Sequence, residues 1–285
     1  MNGFINVLKP VGATASDVVV CVKHVLHDKK VGHLGTLDPG ASGVLPVAVG
    51  QATKLFNFLT NKVKYYRAYF TFGVTTDTLD SYGEVVARSD VLPTNGQVAG
   101  LLTQFVGKIN QLPPIYSAIS VGGVRAYDLA RKGVEVELKT RPVEVYSFEL
   151  IDQLSPDTFV VDIKCSGGTY IRSLARDVAE ACGTVGYMSA LIRLQSGCFD
   201  IKDAFTLDEI REKKELCVLP MDFPLSDVEK YVFDDARFDD INFGRRVPCD
   251  SFDGYRKIYC KDTFFGLGKC CNGALDLEYY LKNAF

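Results

Sequence analysis

The sequence contains no Cys-x-x-Cys pair and no long apolar run. Its nine cysteines are scattered over 285 residues, a pattern that argues against a disulfide framework and a zinc site and is typical of reduced thiols in the cytoplasm. No run approaches the roughly 18 consecutive apolar residues of a membrane helix. The first residues, MNGFINVLKPVG, lack a charged leader followed by an apolar stretch. We therefore expect a cytoplasmic protein with no signal peptide, no membrane partner and no bound metal.

A Gly-Lys-Ser/Thr signature is also absent, which disfavours a small-molecule enzyme that binds phosphate through its glycine-rich loop. The formal net charge is −3, and the acidic excess is local. Residues 1–199 carry 19 Lys and Arg against 17 Asp and Glu, whereas residues 200–285 carry 13 against 18. Because a near-neutral body can bind RNA through a local basic groove, composition neither supports nor excludes an RNA partner.

The order of apolar runs and turn signals predicts an α+β fold. We expect a strand over 4–8, a helix from about 17 to 27 with Thr14 or Ser16 as N-cap, and helices over 51–60 and near 95–107. Further strands are expected near 65–73, 143–150 and 158–165, and a tight turn before Arg172 leads into another helix. Strands outnumber helices and are mostly joined by turns, so a mixed, mainly antiparallel sheet is predicted.

The chain changes character from about residue 228 onward. Short alternating strands (YRKIYC, FFGLGKC and ALDLEYYL) follow there, with the turn signals Asp253-Gly254 and Asn272-Gly273. The preceding segment VLPMDFPLSD carries two prolines, and the whole chain exceeds the size at which one core is comfortable. We therefore predict a larger domain over 1–227 and a small C-terminal β-barrel over 228–285.

The segment GHLGTLDPGASG, residues 32–43, places an acid among glycines. Asp38 in a Leu-Asp-Pro-Gly context is by default a turn residue, but the four surrounding glycines permit a bulky partner to approach the backbone. The glycine pair Gly167-Gly168 precedes Thr-Tyr-Ile-Arg, where Arg172 is placed to pair with Asp38 and keep it ionised. An anionic carboxylate beside an aromatic ring is suited to attack on a sugar carbon or a polarised ring.

Several motifs stand in order along the chain: Lys9-Pro10, GHLGTLDPGASGVLPVAVGQATK, KYYRAYFTFGVTTDTLDSYGEV, LPPIYSAISVGGVRAYDLAR and CSGGTYIRSLARD. Together they resemble the TruB-type tRNA pseudouridine synthases over almost the whole chain. The resemblance implies a pseudouridine synthase fold, with 1–227 as the catalytic domain and the C-terminal barrel as a PUA-like RNA-binding domain. It also implies that uridine at position 55 in the tRNA T loop is isomerised to pseudouridine, by base flipping and without a cofactor.

The resemblance assigns roles to particular residues. Asp38 corresponds to the family's single catalytic aspartate, and Arg172 resembles its ion-pair partner. Tyr66 matches the tyrosine that stacks on the target base and assists loss of the C5 proton, with Tyr65 as an alternative for the stacking. The sequence leaves open whether Asp38 attacks the ribose or the uracil ring.

Four further residues are expected to bind substrate. Tyr170 and Leu191 match residues that line the uracil pocket. His33 matches the histidine that enters the RNA loop where the uridine has left the stack, and stacking there offsets part of the cost of flipping. Lys9 belongs to the family's N-terminal Lys-Pro element.

Four positions depart from the family pattern. Leu34 replaces a small hydroxyl residue and is expected to alter packing beneath the loop, and Gly40 replaces a larger apolar residue and is expected to loosen the turn. Ser120 and Gly167 stand where lysine is frequent, which removes two candidate phosphate contacts. RNA binding is therefore expected to use other cations: Lys9, Lys64, Arg67, Arg125, Arg131 and Lys132.

Two alternatives stay open beside a stand-alone enzyme acting on the tRNA T arm. One is a relative that works inside a guide-RNA particle on other RNAs, but the Thr-Asp-Thr-Leu-Asp segment and the lack of basic tails favour the stand-alone type, which needs no guide RNA. The other is a non-catalytic RNA chaperone, which would not need Asp38, Tyr66 and Arg172 together. No long amphipathic seam is visible, so a monomer is expected.

Overall fold

A computed structural model describes residues 1–59, 62–117, 120–121, 124–125, 138–250 and 252–281. Their strands are β1 (Gly3–Lys9), β2 (Val31–His33), β3 (Ala41–Val49), β4 (Lys64–Phe72), β5 (Val74–Thr76), β6 (Val85–Arg88), β7 (Gly107–Gln111), β8 (Ser120–Val121), β9 (Val124–Arg125), β10 (Arg141–Ser155), β11 (Thr158–Cys165), β12 (Gly186–Ser196), β13 (Phe199–Asp200), β14 (Lys230–Val232), β15 (Arg256–Cys260), β16 (Thr263–Cys271) and β17 (Ala274–Tyr280). Their α-helices are α1 (Ala15–Leu26), α2 (Phe56–Leu59), α3 (Asn95–Leu102), α4 (Ile171–Ala181), α5 (Leu207–Lys213) and α6 (Phe238–Asn242). Among these described helices none is long and apolar enough to cross a membrane.

One large sheet dominates the fold. Its order is β1-β3-β12-β4-β11-β10-β7, with β2 added beside β3 and β13 beside β12. Every pair in it is antiparallel except β3 and β12, which run parallel where Leu191 pairs with Ala41 and Arg193 with Gly43. The predicted mixed, mainly antiparallel sheet is therefore confirmed. The parallel pair also brings β12 beside the end of the glycine-rich loop.

The main core lies between this sheet and the helices α1, α3, α4 and α5. Helix α1 contributes Val18, Val22 and Leu26, whose four-residue spacing places them on one face. The helix begins at a capping box. The Thr14 hydroxyl accepts from the Asp17 N–H at 3.0 Å, and the Asp17 carboxylate accepts from the Thr14 N–H at 2.8 Å. Thr14, not Ser16, is thus the N-cap.

Two predicted helices are shorter than expected. The segment 51–60 begins as a 3-10 helix, Gly50–Leu55, and continues as the single turn α2. Helix α3 ends at Leu102 and gives way to a 3-10 turn, Thr103–Phe105. In both places a threonine hydroxyl donates to the carbonyl three residues before it, Thr53 at 2.8 Å and Thr103 at 2.9 Å. Such local bonds compete with regular helix.

The C-terminal strands form an open sheet in the order β14-β15-β16-β17, and the described residues show no closed barrel. Asn272-Gly273 makes the predicted hairpin turn, with φ of 52° and 69°. Asp253-Gly254 does not, because β14 and β15 run parallel, and Lys261-Asp262 instead joins β15 to β16. This sheet has its own apolar cluster around Phe265, and Leu267 on its other face packs with residues of β1 and β3.

Candidate active site

The glycine-rich loop connects β2 to β3 and carries Asp38 at its turn. The Ala41 N–H donates to the Asp38 backbone carbonyl at 3.0 Å and closes this turn. Gly43 has a φ of 105°, and a Cβ there would lie 2.3 Å from the carbonyl oxygen of Arg193. Only glycine fits this close approach of β3 to β12. The end of the loop is therefore fixed against the sheet.

Asp38 and Arg172 form a two-point ion pair. Arg172 Nε lies 2.9 Å from Asp38 Oδ2, and Arg172 Nη2 donates to Asp38 Oδ1 at 3.2 Å. The Arg172 side chain is 8% exposed and that of Asp38 is 31% exposed. The structure thus brings together the two residues that the sequence pairs, and it leaves the Asp38 side chain partly exposed.

The other donors of Arg172 also have acceptors. Nη1 donates to the Thr78 carbonyl at 2.9 Å and lies 3.5 Å from Asp80 Oδ2, while Nη2 also donates to the Tyr116 carbonyl at 3.1 Å. Thr78 and Asp80 belong to the Thr-Asp-Thr-Leu-Asp motif, and Tyr116 belongs to the Pro-Pro-x-Tyr-Ser motif. Arg172 therefore ties two further motifs to Asp38, and its planar fork is held in one orientation.

The groups around Asp38 shift the pKa of its carboxyl in opposite directions. Burial raises the pKa of the Asp38 carboxyl above its usual value; the Arg172 guanidinium opposes that shift, the Asp80 carboxylate adds to it, and Lys9 opposes it. Burial thus raises the proton affinity of Asp38, while the hydrogen bonds from Arg172 stabilise its ionised form. Such tuning by burial and a specific charge partner is typical of reactive groups.

Lys9 lies inside the protein beneath the same turn. Its Nζ donates to the carbonyls of Ala13 at 2.6 Å and Pro10 at 2.9 Å, and lies 3.4 Å from the carbonyl of Pro39. Burial lowers the pKa of Lys9 to about 8, and the charge of Asp38 opposes this shift. Lys9 thus links β1 to Pro39, the residue after Asp38, from inside the protein.

The other cations expected at the RNA surface differ in their placement. Lys64 is also buried, its Nζ donating to the Lys62 carbonyl at 3.1 Å, and burial lowers its pKa to about 8. Arg67 is partly exposed but is bound to Asp162 by two hydrogen bonds of 2.8 Å. In contrast to the prediction, Lys9 and Lys64 do not lie at the surface. The side chains of Ser120, Arg125, Arg131 and Lys132 lie outside the described part of the chain.

The alternation of β4 separates its two adjacent tyrosines. Tyr66 is 7% exposed and packs in one cluster with Leu37 and Leu191. Burial raises the pKa of its hydroxyl, Arg193 opposes the shift, and the Asp38 charge adds to it. Tyr65 points to the opposite face, where its hydroxyl donates to Asp162 at 2.7 Å. Tyr66, not Tyr65, is therefore on the Asp38 side of the sheet.

Three other predicted residues surround the loop. Leu191 is buried on β12 and pairs with Ala41 at the loop's end. Tyr170 precedes α4, and the Gln111 side chain fixes its backbone by accepting from its N–H at 2.8 Å and donating to its carbonyl at 3.0 Å. His33 ends β2, and its Nδ1 is buried without a hydrogen-bond partner among the described residues. Burial, aided by the Arg193 charge, lowers the pKa of His33, so its ring is neutral at neutral pH.

Arg193 is the residue that sequence reasoning missed. It is 1% exposed on β12, and its guanidinium donates to two loop carbonyls, Gly35 at 3.1 Å and Thr36 at 3.4 Å, and to the Val44 carbonyl of β3 at 2.7 Å. An arginine within the strand pattern of MSALIRLQS was the available signal, since a charge is rarely buried unless its donors are satisfied. Arg193 therefore positions the loop by holding its carbonyls inward.

Two of the departures from the family pattern lie in this loop. Leu34 is buried in the apolar cluster that Leu267 forms with residues of β1 and β3, and its N–H donates to the Pro46 carbonyl at 2.8 Å. Gly40 lies against the ring of Tyr82, which occupies the space that a side chain at position 40 would fill. Within the described residues no group of three or more His, Cys, Asp or Glu side chains is arranged to hold a metal ion.

Comparison with known proteins identifies the family. The model of the N-terminal domain of TruB family pseudouridylate synthases matches residues 23–171, and that of the tRNA pseudouridylate synthase B C-terminal domain matches residues 172–226. The chain belongs to the TruB family. As a member of it, this chain is a pseudouridine synthase, which is an isomerase.

Relatives of this TruB-family chain cover most or all of its length. A protein of Alkaliphilus oremlandii named tRNA pseudouridine synthase B is 42% identical over 249 residues, which are 87% of this chain and 83% of the relative. A protein of the same name from Clostridium perfringens is 38% identical and covers 99% of both chains. The family assignment therefore extends beyond the two matched domain models to the C-terminal sheet.

Solved structures support the same fold for the TruB-family chain. A chain in a Cbf5-Nop10-Gar1 complex superimposes with a TM-score of 0.73 at 26% identity, covering 97% of this chain and 84% of that one. A chain in an H/ACA RNP bound to a substrate RNA gives a TM-score of 0.73 at 24% identity over 98% of this chain and 87% of that one. The predicted pseudouridine synthase fold is therefore confirmed.

Proposed function

We propose that the chain isomerises uridine to pseudouridine at position 55 in the T loop of tRNA, with Asp38 as the catalytic group. The observation that carries this proposal is the Asp38–Arg172 ion pair, in which Arg172 binds both carboxylate oxygens and the Asp38 side chain stays partly exposed. Relatives named tRNA pseudouridine synthase B, at 38–42% identity over most of the chain, support tRNA as the substrate class.

The reaction needs one carboxylate and no cofactor. An Asp38 oxygen attacks the target nucleoside, at the ribose or at the uracil ring, while the N1–C1′ bond breaks. The uracil turns, its C5 bonds to C1′, Asp38 is released, and C5 gives up a proton while N1 gains one. Arg172 holds Asp38 ionised and aims it, since the pair uses both carboxylate oxygens. The product is an isomer of the substrate.

Tyr66 serves as a platform for the target base in this scheme. It lies on the Asp38 side of the sheet, in the same buried apolar cluster as Leu191. Because burial raises the pKa of the Tyr66 hydroxyl, the phenol stays protonated at neutral pH. This supports stacking as its main role and makes a phenolate base for the C5 proton unfavourable. Tyr170, also expected to contact the uracil, has its backbone fixed by Gln111.

The target uridine must leave its stack to reach Asp38. His33 is placed to fill the space that the uridine leaves in the RNA stack. It lies at the end of β2, where the glycine-rich loop begins, and its neutral ring can stack without bringing a charge into the RNA. Lys9 supports the turn from inside and does not meet RNA phosphate in this scheme. The cations that contact the RNA backbone then lie elsewhere on the chain.

Residues 1–227 are proposed as the catalytic domain and residues 228–285 as an RNA-binding domain of PUA-like type. The second matched domain model ends at residue 226, and the C-terminal sheet has an apolar cluster of its own. A stand-alone enzyme that needs no guide RNA is favoured by sequence identity, which is 42% to a tRNA pseudouridine synthase B and 26% to the chain in the Cbf5-Nop10-Gar1 complex. A monomer stays a prediction from the sequence.

Mapping of the modified nucleotide tests this proposal. An unmodified tRNA transcript is incubated with the enzyme, treated with a carbodiimide that marks pseudouridine, and read by primer extension. A stop directly on the 3′ side of position 55, absent from a transcript with cytidine at position 55, is the expected result. Stops that mark other positions only, or modification only when a guide RNA is added, would contradict the proposal.

A further inference from the structure

Tyr82 is an exposed aromatic residue at the edge of the Asp38 turn. It is 61% exposed. A Cβ at Gly40 would lie 2.6 Å from Tyr82 Cε2 and 3.0 Å from Cδ2. The ring therefore lies over the backbone of the turn, in the space that a side chain at position 40 would fill. The position of the Tyr82 ring therefore depends on the absence of a side chain at Gly40.

The backbone of Tyr82 is tied to the ion-pair network. Its N–H donates to Asp80 Oδ1 at 3.0 Å, and Asp80 Oδ2 lies 3.5 Å from Arg172 Nη1. Leu79, three residues before Tyr82, is held at a φ of 59°, a left-handed conformation that is rare for a bulky residue. The backbone of Tyr82 is thus held by the turn, so a ligand that meets its ring does not have to order this segment.

We propose that Tyr82 is a substrate-contact residue, and that the exposed face of its ring stacks on an unpaired nucleotide of the tRNA loop next to the flipped uridine. This inference rests on the proposed function. Bases stack on aromatic side chains because every base has a π face, and neighbours of a flipped nucleotide lose a stacking partner of their own. A ring lying over the Asp38 turn is where such a neighbour would come closest to the protein.

Binding measurements with tRNA transcript test the role of the ring. Loss of a base–aromatic stack is expected to weaken binding by Tyr82→Ala roughly tenfold, about 1.4 kcal/mol. Tyr82→Phe keeps the ring and is expected to bind like wild type. Tyr146→Ala removes a tyrosine that is also exposed, at 44%, from β10 and is the matched control. The salt dependence of Kd should not change, because no ionic contact is removed.

Gly40→Ala provides an independent test of the same geometry. The backbone of Gly40 is outside the left-handed region, so alanine is conformationally allowed, but its Cβ would displace the Tyr82 ring. We expect Gly40→Ala to weaken tRNA binding when Tyr82 is present and to add no further loss in a Tyr82→Ala background. Additive losses in the double variant would overturn the inference, because the two positions would then act separately.

The outcomes separate this inference from the proposed function. If the wild-type enzyme neither binds nor modifies tRNA, the proposed function fails first. If wild type is active and Tyr82→Ala binds tRNA as tightly as wild type, the inference about Tyr82 is overturned while the proposed function stands. Equal losses in Tyr82→Phe and Tyr82→Ala would also overturn it, since the hydroxyl and not the ring would then be responsible.

Discussion

Arg172 holds both oxygens of the Asp38 carboxylate, with Nε 2.9 Å from Oδ2 and Nη2 3.2 Å from Oδ1. The same guanidinium reaches the carbonyls of Thr78 and Tyr116. Only a planar fork offers donors in all of these directions. The ion pair therefore both aims the carboxylate and joins the segments that surround it.

Arg172→Lys is expected to lower the single-turnover rate by roughly 10- to 150-fold. A lysine ammonium keeps the charge but cannot replace two charge-assisted hydrogen bonds, which contribute about 1.5–3 kcal/mol. The rate is measured with tRNA transcript in the presence of excess enzyme. A lysine variant that retains the wild-type rate would contradict the role given to the two-point pair.

Arg193→Met is expected to reduce the free energy of unfolding by about 3 kcal/mol, because buried carbonyls left without donors each cost about 1–3 kcal/mol. It should also lower kcat, since the carbonyls of Gly35, Thr36 and Val44 would no longer be held. Urea unfolding and rate measurements check this, with the exposed Arg211→Met as control. Wild-type stability and rate in Arg193→Met would show that the loop does not depend on this side chain.

The pH dependence of the rate follows from the raised pKa of Asp38. Attack needs the ionised carboxylate, so activity is expected to fall on acidification at a higher pH than an ordinary aspartate would give. Single-turnover rates measured from low to neutral pH, with circular dichroism to confirm folding, check this. A rate that stays constant down to the pKa of an unperturbed aspartate would contradict the raised value.

The two tyrosines of β4 should respond differently to substitution. Tyr66→Phe keeps the ring and is expected to retain most activity, whereas Tyr66→Ala removes the proposed stacking platform and is expected to lose about 1–3 kcal/mol in substrate binding. Tyr65→Phe removes only the bond to Asp162 and should leave Kd and kcat close to wild type. If Tyr65→Phe were the more damaging change, the assignment of the stacking role to Tyr66 would be incorrect.

The pairing of Asp38 with Arg172 could be predicted because both residues lie in short motifs, and the structure shows that pair. Asp38 alone reads as a turn residue, and only the order of several motifs along the chain, which resembles the TruB family, indicates a catalytic role; that role stays a prediction. An arginine in the strand pattern around Arg193 indicates a buried charge, but its partners could not be named from the sequence. They depend on the parallel pairing of β12 with β3, which no local pattern encodes. That pairing requires two strands separated by more than a hundred residues.

Charge and exposure explain the other differences. The sequence shows that Lys9 and Lys64 are cationic but not that both are buried, because burial depends on which side of the sheet each faces and on nearby acceptors. The barrel was inferred from strand spacing alone. Closure depends on edge pairing, and the parallel β14 at the edge of the C-terminal sheet could not be foreseen from alternation within each strand.

The most direct measurement is tritium release from tRNA transcript labelled at uridine C5, with chelator present and no cofactor added, for wild type and Asp38→Asn. The pKa of Asp38 is raised in the folded protein. Its contribution to folding stability is therefore present at pH values below its unfolded-state pKa and is lost as the pH rises through its folded-state pKa. At neutral pH the variant loses none of this contribution, so it should fold. Release by wild type with none from Asp38→Asn is the predicted result. Equal release by both proteins would show that Asp38 is not the catalytic group.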